Sequence, residues 1–328
     1  MKIQFIFYSL ILVLIFSCKN DNSKIKTGNP FKHIEKVEKQ VINLDTLTKK
    51  EIIGKKGTKI YFNRDDFEIG ENDSITLELK EYYSLEALIS DNIQTITTSK
   101  QLLESNGVVY LDFTVNGEKI KLKEDKKLRM QFPTNLNEND RVYMGEIDFN
   151  NQMYWTIDNS ALTNFLIYDS TYVEKYGVDR LYEILIPFDS IEFYRNENRR
   201  IQEQINIKNR RSYVAFFIDD FGWINIDKII NPDTEIDFEL ISNNKEIKFV
   251  NNFILYKGLN SFISYQRKIN ELSFKKIPVK NETTLVIIGK KDKVYYADKI
   301  KLSSKTNGKI GLNLKKIDST ELKSLIKK

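Results

Sequence analysis

Side chains able to do covalent chemistry are scarce in this chain of 328 residues, with His33 the sole histidine and Cys18 the sole cysteine. A Ser-His-Asp or Cys-His triad needs an imidazole within hydrogen-bond reach of its nucleophile, and beyond His33 the chain supplies none. A zinc site of His and Cys is excluded by the same count. Acidic pairs remain. Asp65-Asp66 and Asp219-Asp220 could contribute to a calcium site, although adjacent acids at turns are ordinarily solvated turn formers. Asp220-Phe221-Gly222 spells the metal-binding triplet of protein kinases, but the Gly-rich loop and the His-Arg-Asp loop of that mechanism do not accompany it. Carboxylate pairs for glycoside hydrolysis are set by folding rather than by spacing, so the sequence carries no signature for them. No catalytic residue, metal ligand or cofactor is therefore expected.

Cys18 is explained by what precedes it. Lys2 is followed by an uncharged run from Ile3 to Ser17, rich in Phe, Ile and Leu, which has the build of a secretory signal and is shorter than the roughly 20 apolar residues that span a bilayer. Ile15-Phe16-Ser17-Cys18 resembles the lipobox of bacterial lipoproteins, cut just before the cysteine. That resemblance implies a signal peptide over 1–17 and Cys18 as a lipidated N-terminus. A single fatty chain binds a membrane reversibly, whereas two or more hold it stably. The residue directly after the cysteine is Lys19, not the aspartate that retains enteric lipoproteins in the inner membrane. The expectation is therefore the outer membrane, on its periplasmic or its external face.

From Cys18 to Lys49 the chain is polar, broken at Gly28-Asn29-Pro30, and is read as a mostly flexible tether over 18–49. Asp45-Thr46-Leu47 is similar to the O-glycan acceptor pattern of exported Bacteroidetes proteins, which makes Thr46 a candidate glycosylation site. The formal charge is +5, one unit of it from Lys2, and no Lys/Arg run is long enough to make the stripe that nucleic-acid binding uses. Nucleic acid is therefore not an expected partner. With no partner thiol for Cys18 there is no internal disulfide, so the exported body must be held by its core alone.

The elements that position everything else read as strands. Ile75, Leu77 and Leu79 alternate with polar residues, and so do Val109, Leu111, Phe113 and Val115. Asn116-Gly117 falls where a tight hairpin needs positive φ. Leu128, Met130 and Phe132 repeat the pattern before Pro133, and Ser84 caps a short helix carrying Leu85, Leu88 and Ile89. Past a charged stretch containing Arg199-Arg200 and Arg210-Arg211, strands return: Tyr213–Ile218 as a buried run, Ile236, Phe238 and Leu240 in alternation, then Leu285–Ile288 and Val294–Leu302 about a hairpin at Lys290–Lys293. Asp318 and Glu321 have capping-box spacing for a C-terminal helix. The expected fold is all-β: two antiparallel β-sandwiches over 50–138 and 212–328, the second of immunoglobulin-like size, joined by a polar connection over 139–211.

The order Gly57-Thr58-Lys59-Ile60, Asp66-Phe67, Ile75 through Tyr83, Thr97-Thr98, Leu103-Glu104-Ser105-Asn106-Gly107 and Phe132-Pro133-Thr134 resembles a family of uncharacterised Bacteroidetes lipoproteins. Their first domain is similar to the β-sandwich called ZU-five, known from ankyrins and netrin receptors. The likeness continues more loosely through Gly145, Trp155, Gly222-Trp223-Ile224-Asn225 and Ile277-Pro278-Val279. It departs at Ile226, where the family often has cysteine. The resemblance implies a scaffold and carries over no activity; the self-cleavage of some ZU-five proteins needs a histidine that the region lacks.

Tyr82-Tyr83, Trp155, Trp223 and Tyr295-Tyr296 would suit either cross-strand packing or a platform for stacking sugars. Two functions follow. The first is a non-enzymatic envelope lipoprotein acting as a spacer or docking module for another envelope protein. The second is a surface lipoprotein that binds, or less readily hydrolyses, a glycan.

Overall fold

Along β4 (Ile75–Tyr82) the apolar alternates Ile75, Leu77 and Leu79 are all buried, while Thr76, Glu78 and Lys80 are only partly covered. That alternation, repeated in neighbouring strands, builds an all-β molecule. The computed structural model describes residues 28–32, 34–47, 50–134, 139–149, 151–168, 175, 181–196, 215–244 and 246–327.

The first sandwich has one sheet in the order β1 (Gln40–Asn43), β4, β5 (Leu102–Val115), β13 (Gly222–Ile230), β8 (Arg141–Ile147) and β9 (Met153–Ile157), with β6 (Glu118–Lys119) hairpinned onto β5. Asn116 and Gly117 take φ of 53° and 86° at that hairpin, the doubly left-handed turn that matches strand twist. The facing sheet runs β11 (Leu181–Pro187), β10 (Leu162–Tyr168), β12 (Phe216–Ile218), β7 (Leu128–Gln131), β3 (Lys59–Tyr61) and β2 (Glu51–Ile53). Leu77, Leu111, Phe113 and Ile224 from the first sheet close on Ile60, Met130, Phe216 and Ile218 from the second.

The second sandwich packs β17 (Ser273–Val279), β14 (Thr234–Ser242) and β20 (Gly308–Leu312) on a five-stranded sheet. That sheet runs β16 (Ser261–Lys268), β15 (Phe249–Tyr256), β18 (Thr283–Lys291), β19 (Val294–Lys301) and β21 (Lys315–Ile317). Phe238, Phe274, Ile254, Leu285 and Ile287 lie in its core. Its strands are antiparallel except that β20 lies parallel to β14. The C-terminal helix Ser319–Ser324 starts as its sequence indicates: Asp318 accepts from the Thr320 and Glu321 N–H groups, and Glu321 accepts from the Asp318 N–H.

Two sequence expectations need correction. The tether does not extend to residue 49. Gln40–Asn43 pairs with β4, Phe31 is fully buried, and the Asn29 amide donates to the carbonyls of Ile89 and Ser90 at 2.6 and 3.0 Å. A few well-placed apolar side chains and one amide suffice to fix a segment whose average composition is polar.

The boundaries at 139–211 and 212 also move. The strands β8 to β11 of the expected connection, and β12 and β13 of the expected second sandwich, all belong to the first one. β13 lies between β5 and β8, with Ile224 opposite Val109 on one side and Met144 on the other. The run from Ile224 to Asp227 is buried throughout because both of its neighbours and both of its faces are covered. Arg199-Arg200 and Arg210-Arg211 lie outside the described residues.

Candidate functional site

The first sheet of the first sandwich is covered on its outer side as well. Tyr82, Val108, Tyr143 and Trp155 from that face, and Leu85, Leu88 and Ile89 from the helix Leu85–Ser90, meet Phe253, Val286, Ile288 and Ala297 of the second sandwich, with Phe31 and the C-terminal Leu322 and Ile326 in the same cluster. Ser84 caps the helix by accepting from the Ala87 N–H at 3.1 Å. Polar contacts fix the register of the two sandwiches. The Thr95 N–H donates to the Phe262 carbonyl at 2.9 Å, the Phe262 N–H donates to Thr95 Oγ1 at 2.9 Å, and the Ser105 N–H donates to the Leu259 carbonyl at 3.3 Å.

At the rim of this junction a cleft of about 360 Å³ opens between Tyr83, Ser84, Leu85, Glu86, Ser105, Asn106, Thr134 and Asn260. Against the ring of Tyr83, position 107 needs glycine: φ is +145°, and a Cβ there would lie 2.3 Å from that ring. The Tyr83 hydroxyl is 2.8 Å from Thr58 Oγ1. Asn260 donates through Nδ2 to the Ser105 carbonyl at 3.3 Å, so one residue of the second sandwich closes a cleft otherwise built by the first.

Beneath the floor the register of β13 against β5 shifts between Asn225 and Asp227, and these two side chains, on one face of β13, make a buried polar knot. Asn225 Nδ2 donates to Asp227 Oδ2 at 2.5 Å, the Asn106 N–H donates to Asp227 Oδ1 at 3.3 Å, and Ser105 Oγ donates to Asn225 Oδ1 at 3.4 Å. Burial pushes the Asp227 carboxyl well above the usual carboxylate range. Hydrogen bonds from Ser105, Asn225 and the Asn106 N–H oppose the shift, and nearby Asp140 adds to it. Ser105 and Asn106 are positioned by this knot. The arrangement fixes the shape of the cleft.

A second buried acid pins the entry of the chain. Glu81 accepts from Gln40 Nε2, from the Lys56 and Thr58 N–H groups and from Thr58 Oγ1 at 2.8, 2.8, 3.0 and 2.5 Å. Its carboxylate fills the space a Cβ on Gly54 would need, 2.6 Å away. The first strand is thereby tied to the turn that leads into β3.

The residues singled out in the sequence are dispersed. Cys18 and His33 lie outside the described residues. Thr46 is exposed on a short 3-10 turn and donates its hydroxyl to the Asn43 carbonyl at 2.8 Å. Asp66 pairs with Lys126, and Asp219 with Lys127 and Ser160; among the described residues no cluster of metal-ligating side chains forms. The aromatic set is not one strip. Tyr82 and Trp155 are core residues, and the Trp155 indole donates to the Gln94 carbonyl at 2.7 Å. Trp223 sits between Tyr110 and Tyr82, with ring centroids 5.0 and 5.6 Å away. The cleft residues Ser105, Asn106 and Thr134 had stood out in the sequence only through a family likeness. Their physical signal is the presence of Ser105, Asn225 and Asp227 inside otherwise apolar strands, where a polar side chain must find a buried partner.

Among the described residues no helix is long and apolar enough to cross a membrane. Comparison of the chain with protein-family models, curated proteins and solved structures finds no match.

Proposed function

We propose that the protein is a non-enzymatic lipoprotein of the bacterial cell envelope, a rigid spacer that holds the cleft between its sandwiches at a set distance from the outer membrane as a docking point for another envelope protein. The observation that carries this reading is the place of Phe31. A segment that leads back toward Cys18 enters the hydrophobic cluster shared by both sandwiches, so a pull or a position imposed at the N-terminus reaches both at once. The lipobox-like run before Cys18 supplies the anchor, and the resemblance to ZU-five-bearing lipoproteins agrees with a scaffold. Photo-crosslinking in cells from Glu86 or Thr134, both at the cleft, tests the reading. A discrete envelope protein captured from these positions, and not from exposed positions on β20, is the expected result; equal yields from both would refute it.

A glycan as occupant is the second reading. The cleft combines an aromatic ring, Tyr83, with Ser, Thr and Asn side chains, a lining that suits a neutral ligand rich in hydroxyls. Glycan-array binding that disappears in Asn260→Ala would favour it over a protein partner.

A further inference from the structure

The outer face of the five-stranded sheet is divided into two halves. Phe253, Val286, Ile288 and Ala297 form an apolar half covered by Phe31, Leu322 and Ile326. The other half is bare and basic. In the cross-strand register Lys299 is opposite Val286 and Lys301 opposite Thr284, Lys257 follows the end of β15, and Lys327 directly follows buried Ile326. With Glu282 and Thr284 these four lysines line a concavity of about 340 Å³, and all four are exposed. Only one acid lines it, and that acid is engaged: Glu282 pairs with Lys257 at 3.2 Å.

Position gives this charge a direction. Phe31 packs on Phe253, and Lys257 lies four residues further along the same strand line, about 13 Å at strand rise. Nine residues lie between Cys18 and Gly28, a reach of at most about 35 Å. A leash of that length keeps the place where it joins the body within reach of the bilayer, and Lys257 lies on the strand line that Phe31 packs against. Ammonium groups on flexible stems suit a fluid array of anions better than one shaped ligand.

We propose that Lys257, Lys299, Lys301 and Lys327 form a docking surface for the phosphate-bearing headgroups of an anionic membrane. The orientation rests on the tether reading, whereas the affinity for anionic lipid does not. The test uses the chain from Lys19 to Lys328, which retains every residue of the three hydrophobic clusters, in sedimentation with vesicles. Binding to phosphatidylglycerol-containing vesicles, not to pure phosphatidylcholine, and its loss as salt is raised are expected. Lys299→Glu/Lys301→Glu should weaken it by at least about 25-fold, since each surface lysine near an anionic membrane is worth roughly fivefold, with thermal unfolding unchanged. No sedimentation with anionic vesicles, or a double variant that binds like the wild type, overturns the proposal. Binding of inorganic phosphate without vesicle binding overturns it too and assigns the cluster to a small soluble anion. If Cys18 proves unlipidated while vesicle binding persists, the tether reading fails and the lipid surface stands.

Discussion

The rings of Phe31 and Phe253 meet edge to face, their centroids 4.9 Å apart and their planes at 67°, so the N-terminal segment is part of the core between the sandwiches. Phe31→Ala should cost about 3–5 kcal/mol, read as a lower denaturant midpoint. A chain beginning at Lys49, which loses both this ring and β1, should be destabilised further. If either change leaves the midpoint in place, the segment is ornamental.

Leu77 is fully buried in the core of the first sandwich. Leu77→Asp places a carboxylate there without a partner, a change of the kind that costs more than about 4 kcal/mol. The variant should lose its β-type circular dichroism and amide protection in β4 and β5. Folded, soluble protein with native protection would contradict the assignment of this core.

Gly107→Ala adds a methyl 2.3 Å from the Tyr83 ring at a φ of +145°. The expected loss is on the order of 2–4 kcal/mol from strain and overpacking together. Adding Tyr83→Ala should return part of it by emptying the space the methyl needs, and a double variant no more stable than the single one would show that the backbone angle alone sets the cost.

Asp227 gives the stability a pH dependence of definite sign. Its carboxyl is raised in the folded protein, whereas in the unfolded chain it titrates near 3.9, approximately. Between those two values the folded state holds a proton that the unfolded state has released, so this group's contribution falls as pH rises through the window. Asp227→Asn cannot ionise, so the variant should show a flatter fall in urea midpoint as pH rises above about 4. A variant with the wild-type slope would place the titrating group elsewhere.

Cys18→Ala removes the thiol on which thioether lipidation and the processing that follows it depend. The variant should accumulate as an uncleaved precursor, and a palmitate analogue should label only the wild type. Wild type that stays unlabelled would remove the anchor from the proposed function.

Strand alternation made much of the fold legible before any coordinates. Ile75, Leu77 and Leu79 share a buried face, Asn116-Gly117 turns as its residue types require, and Asp318 and Glu321 cap a helix. Which strands pair was not legible, because period-2 alternation reports which face is buried and is silent about the neighbour. Ile224 and Ile226 look alike whether they border β5 or β14. Phe31 was hidden for another reason: averaged composition assigns a whole segment to solvent, while a single ring in a deep pocket is enough to fold it. The cleft left one physical trace in the sequence, the polar Ser105 and Asp227 inside otherwise apolar strands.

The place of β13 between β5 and β8 has a consequence in time. A chain that emerges from the N-terminus, whether from a ribosome or through a membrane, exposes β4, β5 and β8 long before Gly222–Ile230 arrives to join them. Until then the sheet lacks its middle and two apolar strand edges stand unpaired, the state most prone to adhere to other chains. Contacts this distant in sequence also slow folding. The protein should therefore fold late and nearly at once, after more than two thirds of its length is free, and a chain stopped at residue 138 or 211 should behave as an aggregation-prone fragment in place of a domain.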